Sequence, residues 1–174
     1  MKQSIRRPSN GPFYQNALVT LGVAGLIAAP AWGGGLREVD QTIFGMDCAP
    51  CAAGIEKGLK KLDGVTSVRV SLNEGKAILA FESDSDTSLA QIQEVIRHNG
   101  FTPKEAVIKL VGQVGRSDDQ LWIDSGSERF HFKANDSAVQ DLAGKAGTGQ
   151  EIRASLRIAE SRSDHTTALL ISLE

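Results

Sequence analysis

The sequence is poor in cysteine and carries no excess of positive charge. Its 174 residues include two cysteines, which lie three positions apart, so they can act only as one local pair and not as a disulfide framework. The formal net charge is -2 and the sequence pI is about 5.9. Domains that bind nucleic acid usually show a clear surplus of Lys and Arg. We therefore predict that nucleic acid is not a partner of this protein.

The sequence also lacks an apolar run long enough for an ordinary membrane span. The apolar stretch at residues 17–31 has roughly 15 residues, whereas a spanning helix needs about 20. Lys2, Arg6 and Arg7 precede it, and an A-x-A pattern of small residues ends it. We interpret residues 1–31 as a signal peptide or, alternatively, as an uncleaved N-terminal anchor. Either reading predicts an exported protein, periplasmic or anchored on the outer side of the inner membrane.

Beyond this leader, the sequence is typical of a globular chain, with 41% hydrophobic and 23% charged residues. In residues 36–105 the apolar residues follow the period of a strand or of a helix. The predicted elements are, in order, a strand at 37–44, a helix at 51–62, strands at 65–72 and 77–81, a helix capped by residue 87 or 88, and an extended stretch from residue 101. This βαββαβ order predicts a ferredoxin-like sandwich, and hence an α+β fold.

Residues 106–174 predict a second, mainly β unit. The expected elements are strands at 107–114, 121–124 and 128–133, a helix at 137–143, and strands at 152–158 and 167–173. Five strands with one helix between the third and the fourth match an OB-like barrel, and an edge-to-edge sandwich of the same strands is the alternative. The first of these strands could also serve as the fourth strand of the first unit. No motif in this unit indicates a chemistry, so we expect a packing or partner-docking role.

The two cysteines lie where a predicted strand leads into a predicted helix. Cys48 and Cys51 are separated by two residues, so one short loop can direct both sulfurs at a common point. Cys51 falls in the first helical turn, where unpaired N–H groups and the helix dipole stabilise a thiolate. Thiolates are soft ligands. The pair therefore predicts a site for one soft metal ion, Cu(I), Zn(II), Cd(II) or Hg(II).

Three other interpretations of the pair are open. A simple disulfide would add little stability across so small a loop, but an exported thiol pair can oxidise. A closed structural zinc site requires four ligands, and the sequence offers no second C-x-x-C or H-x-x-x-H. A thiol–disulfide oxidoreductase is the stronger alternative, because Cys48-Ala49-Pro50-Cys51 has the C-x-P-C form of such enzymes. Against it, Asp47 stands where those enzymes carry an aromatic residue, and Pro103 is the one later proline that could form a cis-proline loop.

The stretch from residue 36 to about 104 resembles the heavy-metal-associated domain family. The resemblance rests on Gly45-Met46-x-Cys48-x-x-Cys51-Ala52, on Leu62-x-Gly64-Val65 and on Gly100-Phe101. That family includes copper chaperones, periplasmic mercury-binding proteins and the N-terminal modules of metal-transporting P-type ATPases. The resemblance implies a metal-binding protein rather than an enzyme, with a membrane metal transporter or another thiol-bearing metalloprotein as its partner.

The resemblance also implies roles for individual residues. Cys48 and Cys51 would be the metal ligands, Met46 would point into the core, and Phe101 would shield the metal without binding it. Asp47 departs from the neutral residue that many members carry and is similar to the acidic residue of zinc-, cadmium- and lead-exporting modules. A carboxylate suits Zn(II) or Cd(II) better than Cu(I). Asp47 is therefore a candidate third ligand, and the alternative is that it merely caps the helix.

Overall fold

A computed structural model describes residues 34–118, 120–133, 137–159 and 168–173. The predicted leader at residues 1–31 lies outside these ranges. Within them, no helix has the length and apolar character needed to cross a membrane. The elements are, in chain order, β1 (Gly35–Phe44), α1 (Ala49–Leu59), β2 (Val65–Ser71), β3 (Lys76–Phe81), α2 (Leu89–His98), β4 (Thr102–Ser117), β5 (Gln120–Asp124), β6 (Arg129–Lys133), α3 (Ser137–Lys145), β7 (Glu151–Ile158) and β8 (Ala168–Leu173).

The first six elements form an antiparallel sheet with two helices, and the fold is α+β. The strand order is β2-β3-β1-β4, as the βαββαβ pattern requires. The core of this part contains buried residues from β1, α1 and α2: Val39, Ile43, Ile55, Leu59, Ile92 and Ile96. Each such side chain stabilises the fold by about 1.5 to 3 kcal/mol through burial. Helix α2 begins at a capping box in which Ser88 and Gln91 each satisfy a backbone N–H of the other.

Strand β4 continues through the predicted boundary between residues 105 and 106. It pairs with β1 over residues 102–111 and with β7 over residues 106–113 on its other edge, while β5 takes over from β1 at Gln113. Gly112 lies where the partner of β4 changes from β1 to β5. The position has no space for a side chain, because a Cβ there would collide with the backbone oxygen of Asp124. The second unit therefore extends the sheet of the first unit through a shared strand.

The elements after β4 occur in the predicted order of strands and helix. The β5–β6 hairpin lies along the later part of β4, β7 lies along its opposite edge, and β8 pairs with β7. Strands β6 and β8 lie close to each other. That the second unit is an OB-like barrel stays a prediction.

The second unit contacts the first at the end of the sheet where β1 and α2 begin. The carboxylate of Glu128, before β6, accepts the backbone N–H of Leu89 at 2.9 Å. Next to it, the Ser127 hydroxyl donates to the backbone oxygen of Thr87 at 3.4 Å. Because β1 runs away from this end, its last residue, Phe44, lies at the opposite end of the sheet.

Candidate metal centre

The loop between β1 and α1 is anchored in the core by a methionine. The chain leaves β1 through Gly45, which has a φ of +89°. The next side chain, Met46, is buried with 8% exposure among the residues of the main core, which confirms the predicted inward orientation. The half-buried ring of Phe101 lies next to Gly45, since a Cβ at Gly45 would be 3.9 Å from the Phe101 Cδ1 atom. The loop is therefore supported from the core and from the start of β4.

Helix α1 begins at Ala49, two residues earlier than predicted, and Pro50 lies in its first turn, where a proline costs no hydrogen bond. Its N-cap is Cys48, whose Sγ atom accepts the backbone N–H of Cys51 at 3.1 Å. The alternative that Asp47 caps this helix is wrong, because Asp47 precedes the capping residue. One cysteine is therefore the cap of the helix and the other lies in its first turn.

Cys48 and Cys51 are joined by a disulfide, with 5.1 Å between their Cα atoms. This is the oxidised form of the pair, and sulfur in a disulfide is not the thiolate that binds metal. Reduction produces two thiols on the same half-buried turn. Metal binding at this site therefore requires the reduced protein.

Asp47 lies close to both cysteines. A carboxylate oxygen of Asp47 and the Sγ atoms of Cys48 and Cys51 all lie within 4.8 Å of one another. Within the described ranges, this is the one group of three metal-ligating side chains at such distances. The carboxylate is exposed and the sulfurs are half-buried. The structure thus brings the three predicted ligands together at one partly exposed loop.

The histidines lie elsewhere. His98, at the end of α2, is 82% exposed, and its Nδ1 atom lies 3.4 Å from the carboxylate of Glu94. At the same helix end, the Asn99 side chain donates to the backbone oxygen of Val95 at 2.8 Å.

His131 is half-buried on β6, opposite Trp122 of β5, with 6.3 Å between the ring centroids. The third histidine, His165, falls outside the described residues. Neither His98 nor His131 belongs to the metal-ligating group at the loop.

An exposed aromatic side chain next to the loop was missed in the sequence. Phe44 is 67% exposed, and the Lys104 Nζ atom lies 5.6 Å from the centroid of its ring. The alternation of side chains along β1 indicates this exposure, because Ile43 is buried and the next side chain must point to the other face of the sheet. An exposed aromatic ring therefore lies two residues before Met46.

Comparison with known proteins places the first unit among metal-binding modules. Residues 42–102 match the family model described as "Heavy-metal-associated domain". The copper chaperone CopZ of Staphylococcus aureus (strain MRSA252) is 33% identical over 59 residues, which are 34% of this chain and 85% of the chaperone. The copper-exporting P-type ATPase of Bacillus subtilis (strain 168) is 40% identical over 65 residues, which are 37% of this chain but 8% of the ATPase.

Among solved structures, one described as "CopZ metallochaperone" is similar with 26% sequence identity and a TM-score of 0.36. The aligned residues make up 38% of this chain and 97% of the metallochaperone. The chain thus spans most of the length of small carriers of this kind and a small part of the transporter.

Proposed function

Because the chain belongs to the heavy-metal-associated domain family, we propose that it captures one soft metal ion through Cys48 and Cys51 and passes it to a thiol-bearing partner. The observation that carries this proposal is the placement of both sulfurs at the N-terminus of α1, on an exposed loop. Cu(I) is the proposed cargo. Two thiolates satisfy its soft character, and the relatives described above are named for copper.

The helix N-terminus supports the charged form of the ligands. The partial positive charge at the start of α1 and its unpaired N–H groups favour negative sulfur. In the oxidised form the Cys51 N–H donates to Cys48 Sγ, and we expect the same bond in the reduced protein, because a thiolate is the stronger acceptor. Two thiolates with one Cu(I) leave a single negative charge, which the same helix end stabilises.

Transfer follows from an open coordination shell. An incoming thiol of the partner loses its proton and binds the ion as a third sulfur, and one of the two cysteines then leaves and takes up a proton. A second exchange of the same kind completes the transfer. The ion keeps its oxidation state throughout, and the number of metal–sulfur bonds is the same at the start and at the end.

The metal loop is open to solvent on the side that carries the Asp47 carboxylate, which is exposed. The side-chain contacts of the second unit with the first, at Glu128 and Ser127, lie where β1 begins. Strand β7 reaches further and pairs with β4 as far as Ala106, which lies opposite Gln41 of β1. We expect a partner to approach the two cysteines from the exposed side of the loop.

The proposed partner is a membrane metal transporter whose own heavy-metal-associated module offers a thiol pair. The ATPase relative supports this choice, since it is named as a copper exporter. We further propose an extracytoplasmic location, on the basis of the leader at residues 1–31. The oxidoreductase alternative is not favoured, because the relatives are named as metal carriers and transporters.

Elemental analysis of the protein purified anaerobically from its native host tests this function. We expect about one copper per chain in the wild type and none in the Cys48→Ala/Cys51→Ala variant purified in the same way. Copper retained by the double variant would contradict the proposal, and so would zinc in place of copper in the wild type. Disulfide reductase activity above that of a small dithiol would instead support the oxidoreductase.

A further inference from the structure

Two glutamines form a buried polar pair near the end of β1 that leads into the metal loop. Gln41 of β1 is fully buried, and Gln93 of α2 is 5% exposed. The Gln93 Nε2 atom donates to the Gln41 Oε1 atom at 3.2 Å, and the Gln93 Oε1 atom accepts from Arg97 at 3.1 Å. A buried amide costs free energy unless it is hydrogen-bonded. In the part of the chain that the structure describes, neither glutamine has a buried side-chain atom without a partner.

The apolar pattern of β1 is interrupted at Gln41. On the same face of the strand, Val39 and Ile43 are apolar and buried. The residues paired with Gln41 on the neighbouring strands are both alanines, Ala77 of β3 and Ala106 of β4. These small side chains leave room for the amide to reach α2. Packing alone does not account for a glutamine here, because an apolar side chain could fill the same space.

The backbone next to Gln41 is irregular. The register of β1 against β4 shifts by one residue directly after Gln41, so that Thr42 of β1 faces both Lys104 and Glu105 of β4. This is a β-bulge, in which the extra residue has no partner and the ladder of hydrogen bonds is interrupted. The backbone oxygens at the bulge therefore need donors from elsewhere.

The Gln41 side chain supplies those donors. Its Nε2 atom lies 2.9 Å from the backbone oxygen of Thr42, 3.0 Å from that of Lys104 and 3.3 Å from that of Glu105. The two N–H groups of one amide thus serve all three residues of the bulge. The hydrogen bond from Gln93 to the amide oxygen of Gln41 holds that oxygen toward α2 and the nitrogen toward the bulge.

The bulge sets where β4 meets the metal loop. Beyond it, Phe44 pairs with Thr102, and the ring of Phe101 lies next to Gly45, where the chain leaves β1. A regular ladder in place of the bulge would shift this end of β4 by one residue, about 3.3 Å along β1. Phe101 would then move away from Gly45, and the loop would lose its support from β4.

We propose that Gln41 and Gln93 are positioning residues for the metal centre, because they hold the bulge that keeps Phe101 against the loop. This inference rests on the proposed function, since it concerns how tightly Cys48 and Cys51 hold their ion. The pair acts through the backbone of β1 and through the Phe101 ring, not as metal ligands. Residues that orient metal ligands contribute about tenfold or more to metal affinity.

The test compares two matched variants of the full chain. Gln41→Leu/Gln93→Leu removes both amides together, so that neither is left buried without its partner. Ile92→Ala removes a buried apolar side chain next to Gln93 in the same helix and leaves the bulge unchanged. Urea unfolding of both variants measures how far each change lowers the stability of the fold.

Two measurements separate positioning from stability. NMR of the oxidised, metal-free chain detects the contact between the ring protons of Phe101 and the Hα protons of Gly45. Competition with a chromophoric chelator measures the Cu(I) affinity of the reduced chain. We expect the double variant to lose the NMR contact and about tenfold in Cu(I) affinity. Ile92→Ala should keep the contact and change the affinity by less than about twofold.

Several results would overturn the proposal: wild-type contact and affinity in the double variant, loss of the contact without loss of affinity, or equal losses in Ile92→Ala. If the double variant does not fold, Gln41→Met takes its place with the same expectations, because methionine has a similar length and cannot donate. The NMR contact needs no metal. A wild type that binds no Cu(I) would therefore contradict the proposed function, while the NMR comparison would still decide whether the two glutamines hold Phe101 in place.

Discussion

The sulfur of Cys48 accepts the backbone N–H of Cys51 at 3.1 Å, so one proposed metal ligand caps the helix that carries the other. The same hydrogen bond therefore caps the helix and fixes the positions of the two proposed ligands relative to each other. A substitution at Cys48 changes both, and its two effects can be separated.

Replacing Cys48 by serine or by alanine separates them. Serine is a good N-cap and alanine is a poor one, so reduced Cys48→Ser should be about 1 kcal/mol more stable than Cys48→Ala. Both variants lose a thiolate and should lose tight Cu(I) binding alike. Urea unfolding under anaerobic, reducing conditions measures the first effect, and Cu(I) competition measures the second. Equal stability of the two variants would show that the cap contributes nothing.

Asp47→Asn tests whether the carboxylate near the sulfurs selects the metal. The carboxylate lies within 4.8 Å of both Sγ atoms, so it can give Zn(II) a third ligand, whereas Cu(I) is satisfied by two sulfurs. We expect Zn(II) affinity to fall about tenfold, or 1.4 kcal/mol, and Cu(I) affinity to stay unchanged. Titrations against chromophoric chelators measure both, with Asp84→Asn, in an exposed loop, as the control. Equal losses for the two ions would refute a role in selectivity.

Gly64→Ala tests why the turn after α1 requires glycine. Gly64 has a φ of +65°, and a Cβ there would collide with the side chain of buried Ser85. Gly147 has a φ of +74° and open space around it, so Gly147→Ala should cost only the backbone strain, about 1 kcal/mol. Gly64→Ala should cost about 2 to 4 kcal/mol in unfolding free energy. Similar losses of unfolding free energy for both variants would mean that Ser85 moves aside at little cost.

Glu128 makes a pH-dependent contribution at the junction of the two units. Burial raises the pKa of its carboxyl group above the usual value, and the hydrogen bond from the Leu89 N–H only partly opposes this. Because the pKa is raised in the folded state, the neutral carboxyl group favours the folded protein below the usual pKa of about 4.5. This contribution to the free energy of unfolding is lost as the pH rises through the pKa of the folded state. Glu128→Gln should therefore be more stable than the wild type at pH 7.5, and the gap should close near pH 4. Chemical unfolding at both pH values measures it, and a constant gap would contradict this assignment.

The features set by neighbouring residues were predicted well from the sequence. The cap of α2 at Ser88 follows from local pattern, whereas the inward orientation of Met46 was implied by the family resemblance. The N-cap at Cys48 was not predicted, since cysteine is not among the preferred capping residues. Aspartate is a preferred capping residue, so Asp47 was the candidate cap, but α1 begins at Ala49 and its N-cap is therefore Cys48.

Features that depend on long-range pairing were harder to predict. The sequence predicted a boundary near residue 106 and left open that the strand there is shared by both units; the structure confirms the shared strand and shows it to have 16 residues. Its length depends on β7, which lies some forty residues later along the chain and covers the edge of β4 that would otherwise be exposed.

A Cu(I) titration of the reduced protein against a chromophoric chelator, compared with the Cys48→Ser/Cys51→Ser variant, tests the central claim most directly. Serine at residue 48 preserves the helix cap, so any loss of binding reports the missing sulfurs and not a lost fold. The account predicts about one tightly bound Cu(I) per wild-type chain and none in the double variant. Equal binding by the two proteins would contradict it.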